Sequence, residues 1–107
     1  MKNAVAWFAV LLTFAVSCRL RDIRTVTIEV PRLRGEECAQ RLHRVLAPVN
    51  GVDPDALRFE PGRVTVTYDS MRLALKNIEH IIAEAGFDAN DVPADPAARE
   101  RLPERCR

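Results

Sequence analysis

At 107 residues the chain has room for one small domain with tails and none for a second core. Its 16 lysines and arginines stand against 15 aspartates and glutamates, a formal net charge of +1. That balance excludes a general electrostatic role on nucleic acid, which needs a basic excess to neutralise phosphates.

Lys2 gives a short positive start, and Ala4 to Val16 is an apolar run of 13 residues interrupted only by Thr13. The run is too short to span a bilayer comfortably and fits the apolar centre of an export signal. A buried core helix is disfavoured because no polar face breaks the run. It ends in "FAVSC", residues 14–18, with small residues directly before a cysteine. This resembles a bacterial lipobox, with Ala15 where leucine is usual. The resemblance implies removal of residues 1–17 and a diacylated Cys18. The protein would then be a membrane-anchored lipoprotein of the cell envelope, facing the periplasm or the exterior. Cleavage nearby without lipid, and retention of the apolar segment as an anchor, are the alternatives. Lys2 is the only charge in this segment, so the mature part is formally neutral. With Cys18 lipidated, Cys38 and Cys106 are the only thiols left, in an oxidising compartment where pairing is chemically allowed.

Residues 18–24 read as a tether. From Thr25 to Val30, "TVTIEV" alternates so that Val26, Ile28 and Val30 share one face, a half-buried strand that Pro31 closes. From Glu36 to Val49 a helical stripe of Ala39, Leu42, Val45, Leu46 and Val49 runs until Pro48 and Asn50-Gly51 stop it. "ALRFEPGRVTVTYD", residues 56–69, predicts two strands about the turn "EPGR", with Leu57 and Phe59 on one face of the first and Val64 and Val66 on one face of the second. Leu75, Ile78, Ile81, Ile82 and Ala85 mark a second amphipathic helix, which Met71 is expected to open as a packing residue and Gly86 to end. "FDANDV" supplies a last short strand. In the tail, residues 93–107, Asp95 caps and Pro96 opens a short helix that Pro103 closes, and Ala98 and Leu102 give it an apolar stripe.

The order strand, helix, strand, strand, helix, strand predicts an α+β, ferredoxin-like sandwich over residues 25–92, an antiparallel sheet with two helices on one face. Three connections then share one end of the sheet, and Cys38 lies in the first of them.

On these residues the chain resembles the heavy-metal-associated domains of copper chaperones, mercury-binding periplasmic proteins and metal-pumping ATPases. That family's frame is methionine, one residue, cysteine, two residues, cysteine, then apolar positions four and eight residues on and a Gly-Val beyond. Counted from Cys38, Leu42 and Leu46 take the apolar positions, and Gly51-Val52 the thirteenth and fourteenth. "GRVTVTYD" and "AGFDA" match the family's third strand and its fifth loop. The resemblance implies binding or transfer of a soft cation, Cu(I), Zn(II) or Hg(II). Its partners would be a metal transporter or another metal-binding protein, with the membrane reached through Cys18.

At the site itself the chain departs from the family. Cys38 stands at the second cysteine, Gly35 at the first and Leu33 at the methionine. One thiol is a poor chelator. Glu36 and Glu37 are accounted for by the helix dipole with Gly35 as N-cap, and His43 and His80 are expected in solvent. Arg32, Arg34 and Arg41, with the helix N-terminus, would favour a thiolate at Cys38. Since the family's clamp lacks one sulfur, a high-affinity site needs another, and Cys106 is the remaining candidate. Were the last strand to finish opposite Cys38, the tail would have to return roughly 25 to 30 Å by sheet dimensions, within its reach. Cys38 and Cys106 are thus expected as a disulfide when oxidised and a two-sulfur metal site when reduced.

The other reading is a metal-free protein-interaction domain on the same scaffold, with Cys38 and Cys106 as a structural disulfide or unpaired. A thiol-disulfide enzyme is weaker, because no Cys-x-x-Cys pair is present. No catalytic constellation and no phosphate-binding loop is legible, so the protein is not expected to be an enzyme.

Overall fold

The computed structural model describes residues 20–107; the expected export signal and Cys18 lie outside the described residues. Strand β1 (Ile23–Glu29) opens the domain, helix α1 (Gly35–Leu46) follows, and strands β2 (Arg58–Glu60) and β3 (Arg63–Asp69) form a hairpin. Helix α2 (Leu75–Glu84) and a short tail helix, α3 (Pro96–Glu100), complete the order.

The sheet is antiparallel in the order β1-β3-β2, with Val26 opposite Val66 and Ile28 opposite Val64. Strict alternation sends Val26, Ile28, Val64, Val66 and Tyr68 to the helix side. It leaves Thr25 and Thr27 on the open side beside Thr67 and Thr65, where the Thr25 and Thr67 hydroxyls lie 3.0 Å apart. Cross-strand threonine pairs of this kind suit a solvated sheet face. Pro61 and Gly62 make the hairpin turn, and Gly62 takes the positive φ of 80° that such a turn needs after proline.

Against the inner face α1 packs Cys38, Leu42 and Leu46, four residues apart, and α2 packs Ile78 and Ile82; all five are fully buried. Phe87, Val30, Leu33 and Leu102 close the same core.

β1 begins two residues earlier than the Thr25 expected from sequence. The reason is Asp69: its carboxylate accepts from the Asp22 backbone at 3.2 Å and from Met71 N–H at 3.0 Å, while Ser70 N–H donates to the Asp22 carbonyl at 2.8 Å. These bonds extend the ladder and pin the chain at Asp22. The Ser70 hydroxyl, and after it Arg24, hold the Asp22 carboxyl below its ordinary range. The same bonds stop Met71 from opening α2. Residues 70–74 form a turn on Asp69, Met71 points to solvent, and the helix starts at Leu75, with the Asn77 side chain accepting from Ala74 N–H at 3.0 Å.

The expected fourth strand does not form. Ala89 and Val92 pair with each other, so the chain reverses. Asn90, at φ 52°, donates its N–H to the Glu29 carbonyl (2.8 Å) and accepts from Glu29 N–H through its side chain (2.9 Å). One asparagine thus satisfies the end of β1 in place of a strand. Its amide also donates to buried Glu79 at 3.2 Å, which pairs with Lys76 at 3.4 Å.

Leu46 lies where α1 meets the sheet and α2. Leu46→Ala should cost about 2 to 5 kcal/mol, read from a denaturant titration; a loss below about 0.5 kcal/mol, typical of surface substitutions, would refute this core.

A disulfide at the head of the first helix

The loop before α1 is stitched to the hairpin turn. Leu33 N–H donates to Val30 C=O at 2.9 Å, Gly62 N–H to Leu33 C=O at 3.0 Å and Val30 N–H to Gly62 C=O at 2.9 Å. Leu33 is thereby buried and the start of α1 fixed. Gly35 follows with φ 78°, a left-handed conformation that turns the chain into the helix. Arg34 occupies the N-cap without a side-chain bond, and Glu36 and Glu37 lie in the first turn, at the positive end of the helix dipole.

Cys38 follows on the inner face of that turn. It is joined to Cys106 by a disulfide, with the two Cα atoms 5.7 Å apart across a sequence separation of 68. That spacing is ordinary for a disulfide, and both cysteines are fully buried.

The tail reaches this point by a shorter path than the sequence suggested. Because the chain reverses at Ala89 and Val92, it never travels to the far end of the sheet. Asp95 N–H already donates to Ala83 C=O at 2.9 Å, at the end of α2. Asp95 does precede α3, but its side chain makes no cap bond; Asp88 instead accepts from Ala94 N–H at 2.8 Å. The tail then crosses Gly86. A Cβ there would stand 2.9 Å from the backbone of Ala98 and Arg99 and from the Leu102 side chain, so only glycine lets the tail lie this close. Leu102 is buried beside Phe87 in the core cluster.

Beyond Pro103 a short 3₁₀ turn, Glu104–Cys106, delivers the cysteine, and Cys106 N–H donates to Pro103 C=O at 2.8 Å. Arg32 donates to the Arg107 carbonyl, and Arg105 lies 3.9 Å from Glu37. Arg32 therefore serves the tail rather than a thiolate at Cys38, and Arg34 and Arg41 remain exposed.

His43 and His80 are both exposed, as expected, with the His43 ring 6.0 Å from that of Phe59. Among the described residues no group of three or more His, Cys, Asp or Glu side chains is placed to hold a metal. On the open side of the first turn, Leu33, Gly35, Glu36, Ala39 and Phe59 line a shallow hollow of about 280 Å³ that contains no sulfur. Sequence reasoning missed the role of Gly86. A glycine after a helix signals a C-cap equally well whether or not a tail crosses it.

No family model matches the chain. Two uncharacterized proteins of Haemophilus influenzae are each 28% identical to it over 69 residues, 64% of this chain and 100% of the relative. Oxidized MerP from Ralstonia metallidurans CH34 superposes with a TM-score of 0.59 at 21% identity, over 64% of this chain and 96% of its own. The putative copper-ion-binding protein from Bacillus anthracis str. Ames gives 0.58 at 25% identity, over 64% and 97%. A ZiaAN sub mutant gives 0.56 at 28% identity, over 65% and 99%. The fold is ferredoxin-like, that of the heavy-metal-associated domains. Each neighbour is matched almost whole, whereas each of these superpositions leaves out about a third of this chain.

Cys106→Ser should lower stability by about 2 to 4 kcal/mol, since it removes a cross-link over a long loop. Full reduction of the wild type should do the same in a denaturant titration. Gly86→Ala, which pushes the tail off α2, should raise the fraction of chains with free thiols on quantitative alkylation; an unchanged thiol count would show that the tail does not need this contact.

Proposed function

We propose that the protein binds and transfers a soft metal ion in the cell envelope, tethered by lipid at Cys18, with Cys38 and Cys106 as the two sulfur ligands. The observation that carries this reading is the pairing itself. Cys38 occupies the position of the family's second clamp cysteine, and the tail brings Cys106 to it in place of a cysteine at Gly35. One structural neighbour is described as a putative copper-ion-binding protein, which supports the same class of cargo.

The donor set fits the cargo only after reduction. In the disulfide both sulfurs are spent. Two electrons and two protons from a dithiol donor convert it to two thiols, and binding of a cation then releases the protons. Two thiolates suit near-linear Cu(I) or Hg(II), while Zn(II) would need further ligands from a partner. Because both cysteines are fully buried, the tail must lift for a cation to enter. The partner would be a metal transporter or another metal-binding protein, and the reading assigns no enzymatic step.

Burial of both sulfurs favours a second reading, a metal-free interaction domain in which the disulfide is structural. A titration separates the two. Reduced protein is titrated with Cu(I) or Zn(II) against a chelator of known affinity. The wild type should bind, the oxidised form should not, and Cys38→Ser and Cys106→Ser should each lose high-affinity binding. Variants that bind as the wild type does would refute the two-cysteine site, and a reduced wild type that does not bind would leave the metal-free reading. Mass spectrometry of membrane-extracted protein should find the acyl mass on Cys18, and Cys18→Ser should abolish it. An unprocessed N-terminus with unchanged attachment would make the apolar segment the anchor.

A further inference from the structure

All the large apolar side chains that stand exposed among the described residues, Leu20 (80% exposed), Ile23 (57%) and Met71 (59%), belong to one end of the domain. The β1-β3 register puts Ile23 opposite Asp69, two residues before Met71, and Leu20 precedes Ile23 by three. We propose that this end rests on the lipid bilayer, with Leu20, Ile23 and Met71 entering the interface, so that the disulfide end faces away from the membrane. The proposal rests on the reading of Cys18 as lipidated.

Chain length leaves few other placements. Leu20 follows Cys18 by two positions and Asp22 by four, so the fully extended reach to Asp22 is about 14 Å. At Asp22 the chain is already bonded to Asp69 and Ser70. An acyl chain on Cys18 therefore holds this end within about 14 Å of the membrane interface. Exposed apolar residues there gain burial that the opposite end cannot reach.

Charge neither drives nor opposes the contact. Arg24 pairs with Asp22 at 3.0 Å and Arg72 with Asp69 at 3.6 Å. Beside them Arg21, Asn50 and Arg72 help line an open cleft of about 520 Å³, next to Ile23 and Asp53. Attachment should accordingly depend on apolar contact more than on anionic lipid. β1 runs from this end to Glu29, seven residues and roughly 20 Å, which sets Gly35, Cys38 and the hairpin turn on the side away from the bilayer.

The test uses the full chain, expressed in a bacterium that processes lipoproteins and reconstituted in vesicles of phosphatidylethanolamine and phosphatidylglycerol. An environment-sensitive fluorophore is placed through Asn50→Cys, at the proposed contact, or through Pro61→Cys, at the far turn, with the native disulfide left oxidised. The expected result is a blue shift and protection from aqueous iodide at position 50, with neither at position 61. Adding Ile23→Gln and Met71→Gln should abolish the shift at position 50 while the protein still sediments with the vesicles and keeps its circular dichroism spectrum. Sedimenting protein whose position 50 behaves like position 61 would overturn the docked orientation while leaving the anchor. Protein that does not sediment would overturn the anchor, and the docking with it.

Discussion

The covalent bond between Cys38 and Cys106 is the constraint on which the upper half of this small domain depends. It joins the first turn of α1 to the tail, across a sequence separation of 68, and so restricts the unfolded chain as much as it holds the folded one. Leu102 and Cys106 enter the core only because the tail is held there, and they cover Phe87 and the end of α2 in return. A chain that buries so little surface has few other ways to fix a segment without a long helix or strand of its own.

Two glycines make that closure sterically possible. Gly35 takes the left-handed turn that aims α1 and its cysteine inward, and Gly86 leaves room for the tail backbone to cross. Polar contacts then set the register. Arg32 reaches the Arg107 carbonyl, and Asn90 both donates to and accepts from the backbone of Glu29. Asp69 does corresponding work at the other end of the sheet, where one carboxylate and one carbonyl organise the turn between β3 and α2 as well as the entry to β1.

Much of the fold is legible in the sequence because its signals are periodic. Val26 and Ile28 alternate, Leu42 and Leu46 repeat every four residues, and Pro61-Gly62 sits between two alternating runs. Each feature maps to one element with one buried face. The failures fall where side chains compete with the backbone. "FDANDV" has strand-like composition, yet Asn90 in a left-handed conformation satisfies β1 with a single residue, and no periodicity encodes that. Met71 lies in helical spacing with Leu75, but Asp69 captures the intervening amides first. At the site, the meeting of Cys38 with Cys106 could be argued from the missing sulfur at Gly35 and the reach of the tail. The route over Gly86 could not, since it follows from contacts between segments that are distant in sequence.

The backbone at Gly35 restricts which residue can stand there. A cysteine at this position would complete the spacing of the heavy-metal-associated domains, and there is open space for its Cβ. The conformation is the obstacle: φ is 78°, where a residue with a side chain is disfavoured by roughly 1 to 2 kcal/mol. The sulfur it would have to work with is already committed to Cys106. Gly35→Cys is therefore uphill as a single substitution, and the bond to the tail keeps Cys38 from a partner within its own loop.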